Sequence, residues 1–333
     1  MKVALTGASG FLGGALAKTY RERGDEVVAL VRNSADVSML EELGVKLIYG
    51  ELTEPENFLN LLDSADLGIH CAAMTVDFGP WEDFQAINIG GVVHFMEACK
   101  VHKCPKAVYI SSVAVYGNGR NHLGTDEDAP YESIIIDNYT RSKIIAERKV
   151  FDYHQSHKIP VTIIRPGYIW GAGDRVAMPK MIDAIKTGKM AVVDGGVNLM
   201  NLAHVDNMVQ GIMLAAEKDI SIGRAYNLTD GSKVSTSRFF KNIVDIVGVD
   251  YRLRSFPYVP VYVAAYFCEL YAIIRRYKIY PPLTRYTVRM GKYDQVFDIS
   301  RAMYELGYKP RILYNEGMAR MISYIRGLYY GQK

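Results

Sequence analysis

Short, almost purely apolar runs recur through the first 165 positions, separated by helix-length stretches. The runs fall at 3–5, 27–31, 46–49, 67–70, 107–111 and 161–164, and helical patterns lie between them near 11–23, 36–43, 55–62, 83–101 and 137–157. Val27-Val28-Ala29-Leu30-Val31 has no polar alternation at all. A strand of that kind suits a sheet covered on both faces, which is how parallel strands linked by crossover helices are buried. The pattern predicts an α/β fold with a doubly wound parallel sheet, and such sheets take ligands at the carboxyl ends of their strands.

Past residue 166 the rhythm loosens, with helices expected near 206–217, 236–247, 260–277 and 315–327. The expected organisation is a cofactor-binding domain over 1–165 and a smaller α/β substrate-binding domain over 166–333, partly interleaved with the first. With 333 residues, 49% of them apolar, the chain has ample material for a core and is no disordered segment. A net charge of +3 without a long basic run argues against nucleic acid as a partner. Four irregularly spaced cysteines, none in a CxxC pair, point to no disulfide framework and no metal site, and fit a reducing cytoplasm. The opening MKVALTG is too short for the apolar core of a signal peptide and reads as a strand.

Directly after the first strand stands Thr6-Gly7-Ala8-Ser9-Gly10-Phe11-Leu12-Gly13. In this place Gly7 permits a tight turn, Gly10 lets backbone approach a pyrophosphate, and Gly13 allows close packing of helix on strand, with the phosphate on the helix N-terminus. A glycine triplet alone is a weak signal, but strand before and helix after are the context a dinucleotide site requires. At the end of the second strand, an acid would accept from the ribose hydroxyls of NAD, whereas this chain has Arg32. A guanidinium donates two parallel hydrogen bonds to a phosphate, so Arg32 favours NADP, with NAD the alternative and a merely solvated strand-end arginine the bland reading.

Tyr139 and Lys143 are four residues apart, on one face of a helix that follows the fifth strand. A tyrosine with a pKa near 10 is a poor base at neutral pH, and a neighbouring ammonium is expected to lower that value. Ser111-Ser112 ends the fifth strand and places a hydroxyl toward the cofactor cleft. Each element has a plain structural reading, a core tyrosine with a surface lysine, or serines capping a strand.

Together, the glycine turn, the SSxxxYG segment and the YxxxK pair resemble the extended short-chain dehydrogenase/reductase superfamily along the whole chain. The resemblance implies a Rossmann-type fold, with Ser112, Tyr139 and Lys143 catalytic and no metal. It implies cofactor contacts at Gly7, Ser9, Gly10, Phe11, Leu12, Gly13, Arg32, Glu51, Leu52, Cys71, Ala72, Ala73, Ser111, Tyr139, Lys143, Pro166 and Gly167. Glu51 stands where relatives carry Asp beside the adenine, and Gly91 replaces the Thr of their NxxGT segment. In this scheme Tyr139 and Ser112 handle the alcohol or carbonyl oxygen while hydride moves to or from the nicotinamide.

Nucleotide-sugar members use an Arg near position 200 to hold a diphosphate. Here that residue is Met200, although Arg289 partly resembles their second phosphate-binding Arg. The segments 169–174, 223–230, 281–285 and 297–308 look like the 3β-hydroxysteroid dehydrogenase group and its bacterial relatives that reduce 3-oxo acids. That implies a hydrophobic substrate, a sterol, triterpenoid or long-chain 3-oxo acid, interconverted between secondary alcohol and ketone. The alternatives are a nucleotide-sugar epimerase or dehydratase holding NAD, and a cofactor-binding regulator without turnover. Relatives often pair as homodimers.

Residues 256–274 (FPYVPVYVAAYFCELYAII) form a nearly apolar run flanked by Arg252, Arg254, Arg275, Arg276 and Lys278. Three readings stand: a lid helix, a helix lying in a membrane surface and reaching over 256–278, or a span. Pro257, Pro260 and Glu269 weigh against a span. Of 24 tyrosines, 15 lie beyond residue 250, an aromatic half suited to a greasy substrate or a membrane rim.

Overall fold

The computed structural model describes residues 1–331. Its centre is a seven-stranded sheet of β1 (Lys2–Thr6), β2 (Glu26–Val31), β3 (Lys46–Tyr49), β4 (Leu67–His70), β5 (Ala107–Ile110), β6 (Val161–Pro166) and β7 (Ala225–Leu228). The order across the sheet is β7-β6-β5-β4-β1-β2-β3 with every neighbour parallel. The winding direction reverses between β1 and β4, and a crevice opens at the carboxyl ends of the strands at such a reversal. The expected doubly wound Rossmann-type sheet is what the chain forms.

Side chains alternate across each strand. Val3, Leu5, Val27, Ala29 and Val31 face α1 (Phe11–Glu22), where Leu12 and Leu16 meet them. Ala4, Val28 and Leu30 face the other way, toward α2 (Pro55–Leu62), α3 (Gly91–Val101) and α4 (Asn138–His157), where Phe58, Leu61, Phe95 and Val150 are buried. Both faces are apolar, which is why the strands lack alternation in sequence.

The first layer reaches beyond residue 165. Helix α5 (Val205–Glu217) packs Met208 and Ile212 into the same core as α1, and β7 extends the sheet. A separate core gathers Trp170 from a short strand at Tyr168–Trp170 with Ile182, Phe239, Ile243, Tyr314 and Ile325 from helices at Ala177–Lys186, Thr236–Val247, Tyr314–Arg320 and Ile322–Tyr330. Outside it lie α6 (Tyr258–Ile274) and α7 (Arg285–Met290).

Several elements depart from expectation, among them strand β7 and helix α7, which the sequence did not mark. The helix at Ala177–Lys186 is unforeseen because Pro179 interrupts its pattern, yet a proline in the first turn removes an N–H that needs no partner. Asp174 caps that turn, accepting from the N–H groups of Val176, Ala177 and Met178. The single helix expected near 83–101 is instead Trp81–Phe84, a wide turn at Gln85–Gly90, and α3. The one expected near 315–327 breaks in two at Met321.

Helix α4 is held by a buried ionic network. Glu147, fully buried, pairs with Arg165 of β6 and accepts from Ser111 Oγ at 2.5 Å and Tyr131 Oη at 2.9 Å. Arg165 in turn donates to the Tyr116 hydroxyl at 2.5 Å and the Glu127 carbonyl at 3.1 Å. Breaking one side of such a pair strands a charge in low dielectric, at a cost of about 3–5 kcal/mol. Glu147→Ala is therefore expected to lower unfolding stability by about that amount. In a double-mutant cycle by urea denaturation, Glu147→Leu with Arg165→Met should lose clearly less than the sum of the single changes. Additive losses would mean the pair does not hold the helix.

Candidate active site

The strand register brings the candidate residues to one edge. Thr6 lies opposite both Leu30 and His70, His70 opposite Tyr109, and Ile110 opposite Ile164. The chain leaving each strand end therefore enters the same crevice: Gly7–Gly13, Arg32, Cys71–Ala73, Ser111–Ser112 and Pro166-Gly167. Glu51 and Leu52 follow β3 at the far side, Glu51 exposed and Leu52 half-buried.

Gly7 takes φ +76°, and a Cβ there would meet the Ala72 nitrogen at 2.8 Å. A Cβ on Gly13 would lie 2.1 Å from the Gly7 carbonyl oxygen, so only glycine lets α1 begin this close to β1. Gly10 is the exposed N-cap and offers no side chain, leaving the first-turn N–H groups of α1 open. Ser9 and Phe11 are half-buried on this turn and Leu12 is buried beneath it. The geometry fits the pyrophosphate of a dinucleotide, which oriented N–H groups and the positive helix end both favour.

Thr6 Oγ1 fixes the opposite wall by accepting from the N–H groups of Cys71 at 3.2 Å and Ala72 at 3.1 Å. It also bonds His70 Nδ1 at 2.9 Å. Burial holds His70 down at about 3, so it is a neutral structural ring, and burial likewise pushes the Cys71 thiol up to about 12. Gly167 lies where a Cβ would come within 2.0 Å of the Asn201 carbonyl oxygen.

Helix α4 starts at Asp137, whose carboxylate accepts from the Thr140 N–H at 2.7 Å. Burial raises Asp137 to about 6, against the pull of that bond. Tyr139 is thereby in the first turn and Lys143 one turn on. The Lys143 ammonium is buried, donates to the Ile110 carbonyl at 3.0 Å and lies 5.4 Å from the Tyr109 ring centre. Burial lowers Lys143 to about 8. Ser112 is half-buried at the end of β5, its Oγ accepting from the Ala114 N–H at 3.1 Å and its hydroxyl beside the Tyr139 phenol.

Two expectations need correction. Tyr139 was expected to have a lowered pKa; burial pushes the phenol above its ordinary value, outweighing the Ser112 hydrogen bond, while Lys143 turns to a backbone carbonyl. Ser111 was expected as a cofactor-side hydroxyl; it is buried and donates to Glu147 instead. Its neighbour Ser112 alone faces the phenol, as alternation along an extended chain requires.

Asn88 and Arg289 reach the site from segments the sequence had marked, the NxxGT-like stretch and the partial phosphate-binding match, whereas Tyr286 carries no signal in its local sequence. Tyr286, on α7, meets the Tyr139 ring edge-on at 6.3 Å. Asn88 ties the 71–74 turn to α4, donating to the Met74 carbonyl at 3.0 Å and to Ser142 Oγ at 2.9 Å. Arg289, one turn beyond Tyr286, lies with its guanidinium carbon 5.5 Å from the Tyr262 ring centre and faces Asp137 electrostatically. Arg32 is exposed, and among the described residues its guanidinium meets no acid. The nearest following acid, Asp36, is occupied by Ser38 and by Arg175 at 2.8 Å.

Lys143 offers a test of the electrostatics. An ammonium with a folded value near 8 is charged below that pH in both states, and burying it costs about 3 kcal/mol for a displacement of this size. The cost fades as pH rises from about 8 toward the ordinary lysine value, where the folded side chain is neutral. Lys143→Met is expected to raise the melting temperature at pH 7, with a gain that shrinks toward pH 10. A destabilised variant at pH 7 would show that the ammonium is a structural anchor.

A family model described as the NAD dependent epimerase/dehydratase family matches residues 3–229. A Stigmatella aurantiaca 4-hydroxy-2-methyl-3-oxo-4-farnesyl-3,4-dihydroquinoline-1-oxide ketoreductase is 30% identical, over 96% of this chain and 95% of its own. A 2-alkyl-3-oxoalkanoate reductase of Stenotrophomonas maltophilia is 27% identical over 96% and 98%. The mouse sterol-4-alpha-carboxylate 3-dehydrogenase, decarboxylating, is 29% identical over 97% and 90%. In fold, the chain superposes on UDP-glucuronic acid 4-epimerase from Bacillus cereus, solved with UDP-glucuronic acid and NAD, with TM-score 0.79 at 22% identity over 99% of this chain and 100% of that one. On the glycine turn, the strand order and a match spanning most of its length, the chain belongs to the NAD dependent epimerase/dehydratase family.

Proposed function

We propose that this oxidoreductase reduces the ketone of a hydrophobic 3-oxo substrate, a long-chain 3-oxo acid or a sterol-like ring ketone, with NADPH as preferred cofactor. The observation that carries this reading is the Tyr139 phenol, kept protonated by burial and set between the Ser112 hydroxyl and the Lys143 helix face. Ketone reduction needs an acid ready to give a proton, whereas alcohol oxidation needs the phenolate that burial disfavours. The named chemistries of the three relatives, two of them reductases of 3-oxo compounds, lend support.

When bound, the nicotinamide supplies the hydride. The chain's own groups do the rest. The first-turn N–H groups of α1 and the Gly7–Gly13 turn would hold the pyrophosphate, and Arg32, which among the described residues meets no acid, would meet a 2′-phosphate. Ser112 donates to the carbonyl oxygen and polarises it. Tyr139 passes its proton to that oxygen as negative charge develops there. Lys143, protonated below about pH 8 and fixed by Ile110, keeps a positive charge one helical turn from the phenol. Tyr286 packs its ring edge-on against the phenol.

The test follows NADPH consumption with a 2-alkyl-3-oxo acid, a 3-ketosteroid and UDP-glucose in parallel. Turnover of either hydrophobic ketone, and none with the sugar nucleotide, is expected. Tyr139→Phe should cut kcat by about 10³-fold or more while leaving the NADPH dissociation constant within about twofold. Arg32→Ala should raise KM for NADPH by about tenfold and leave that for NADH unchanged. Stabilisation by UDP-glucose with no response to either ketone would favour the nucleotide-sugar reading. Cofactor binding without turnover of any ketone would favour a regulator.

A further inference from the structure

Helix α6 is turned inside out relative to a helix of a water-exposed surface. Its inward stripe is narrow, Ala265, Glu269 and Ala272, spaced for one face. Glu269 is buried because Arg285, at the start of α7, donates to it through Nε at 2.6 Å. The opposite face carries Val259 at 66% exposure, Phe267 at 60%, Tyr271 at 57% and Ile274 at 68%, with Val263, Tyr266, Leu270 and Ile273 between them. Tyr277, Ile279 and Tyr280 continue the exposed surface past the helix end. A hollow of about 490 Å³ opens on this surface, between Phe267, Tyr271 and Ala272 of the helix and Ile279, Tyr280 and the Pro281-Pro282 pair. Scattered apolar residues on a surface need no explanation, but a continuous patch of this kind marks a contact site.

Charge identifies the occupant. From Tyr251 to Tyr280 every exposed charged side chain is cationic: Arg252 and Arg254 before the helix, Arg275, Arg276 and Lys278 after it. The one carboxylate in that stretch, Glu269, is buried and paired. A second copy of the chain laid face to face would set these cations against one another, since a two-fold interface matches a patch with itself. An anionic bilayer surface neutralises them, takes the apolar side chains into its acyl boundary, and places tyrosines at headgroup level. A span is not open to this segment: among the described residues no helix is long and apolar enough to cross a membrane.

We propose that the outer face of α6, with the turn through Tyr280, docks on an anionic lipid bilayer and lies in its surface. The docked helix is one ion pair from the active-site wall, because Arg285 begins the helix whose Tyr286 packs against Tyr139. The proposal does not rest on the identity of the ketone, and its test uses no turnover.

The full-length protein is floated with phosphatidylcholine vesicles containing about 30% phosphatidylglycerol, and with pure phosphatidylcholine. Binding to the anionic vesicles is expected, weakened in about 0.5 M NaCl, with little binding to the neutral ones. Two double variants probe the two components, Phe267→Glu with Ile274→Glu for the apolar face and Arg275→Gln with Arg276→Gln for the rim. Each should lower the bound fraction about tenfold while keeping the wild-type dissociation constant for NADPH, which shows the variant folded. No flotation at any composition would overturn the proposal, as would flotation that neither variant reduces. So would a wild-type dimer in sedimentation equilibrium that becomes monomeric in Phe267→Glu with Ile274→Glu, because a second copy would then cover the face.

Discussion

The site depends on one buried carboxylate. Glu147 stands one turn beyond Lys143 and two beyond Tyr139, on the same stripe of α4. It is tied to Arg165 on β6 and to Ser111 at the end of β5. Those bonds set how far α4 lies from the sheet and how it is rotated, and so where the phenol and ammonium meet the crevice. They also fix the strand end on which Ser112 follows Ser111. A charge in this position is tolerated because each oxygen has partners and the counter-charge is in contact, conditions that burial of a carboxylate demands. Ser111, Ser112, Tyr139 and Lys143 are in this way all referenced to a single buried pair.

Around that pair, the crevice assembles groups whose placement costs stability. Lys143 is an ammonium with one carbonyl as its partner, Tyr139 a phenol out of water, and Asp137 a helix-capping acid raised to about 6 by burial. Each would be relieved by an apolar or neutral residue. A well-packed apolar sheet on both faces supplies the stability that such a site draws down. The neutral His70, stacked on Phe95 at 5.2 Å and bonded to Thr6, belongs to that rigid support and not to the chemistry.

Local sequence made much of this legible. Uninterrupted apolar runs mark strands that are covered on both sides, and their spacing marks crossover helices, so six of the seven strands were readable. The seventh, Ala225–Leu228, was not, because Ala-Tyr-Asn-Leu lacks an apolar run and earns its place by pairing with β6. The glycines at 7, 10 and 13 and the Tyr139–Lys143 spacing were readable since each obeys a rule of local geometry. The state of the phenol was not. An ammonium four residues away suggested a lowered pKa, but the ammonium bonds a backbone carbonyl across 33 residues and desolvation wins.

The amino-acid order by itself determined six strands of the central sheet and the crossover helices between them, where a phosphate-sized turn opens, and which face of α4 bears a phenol and an ammonium. All of these follow from periodicity and backbone sterics over a few neighbours. Tertiary structure alone decided that Ser112 and not Ser111 meets the phenol, that Glu147 anchors the helix, and that Tyr286 from near the chain's end packs against the phenol. It also decided that α6 spends its carboxylate inward and its aromatics outward. These outcomes rest on desolvation and on partners far away in the chain, and neither quantity exists until the elements have packed.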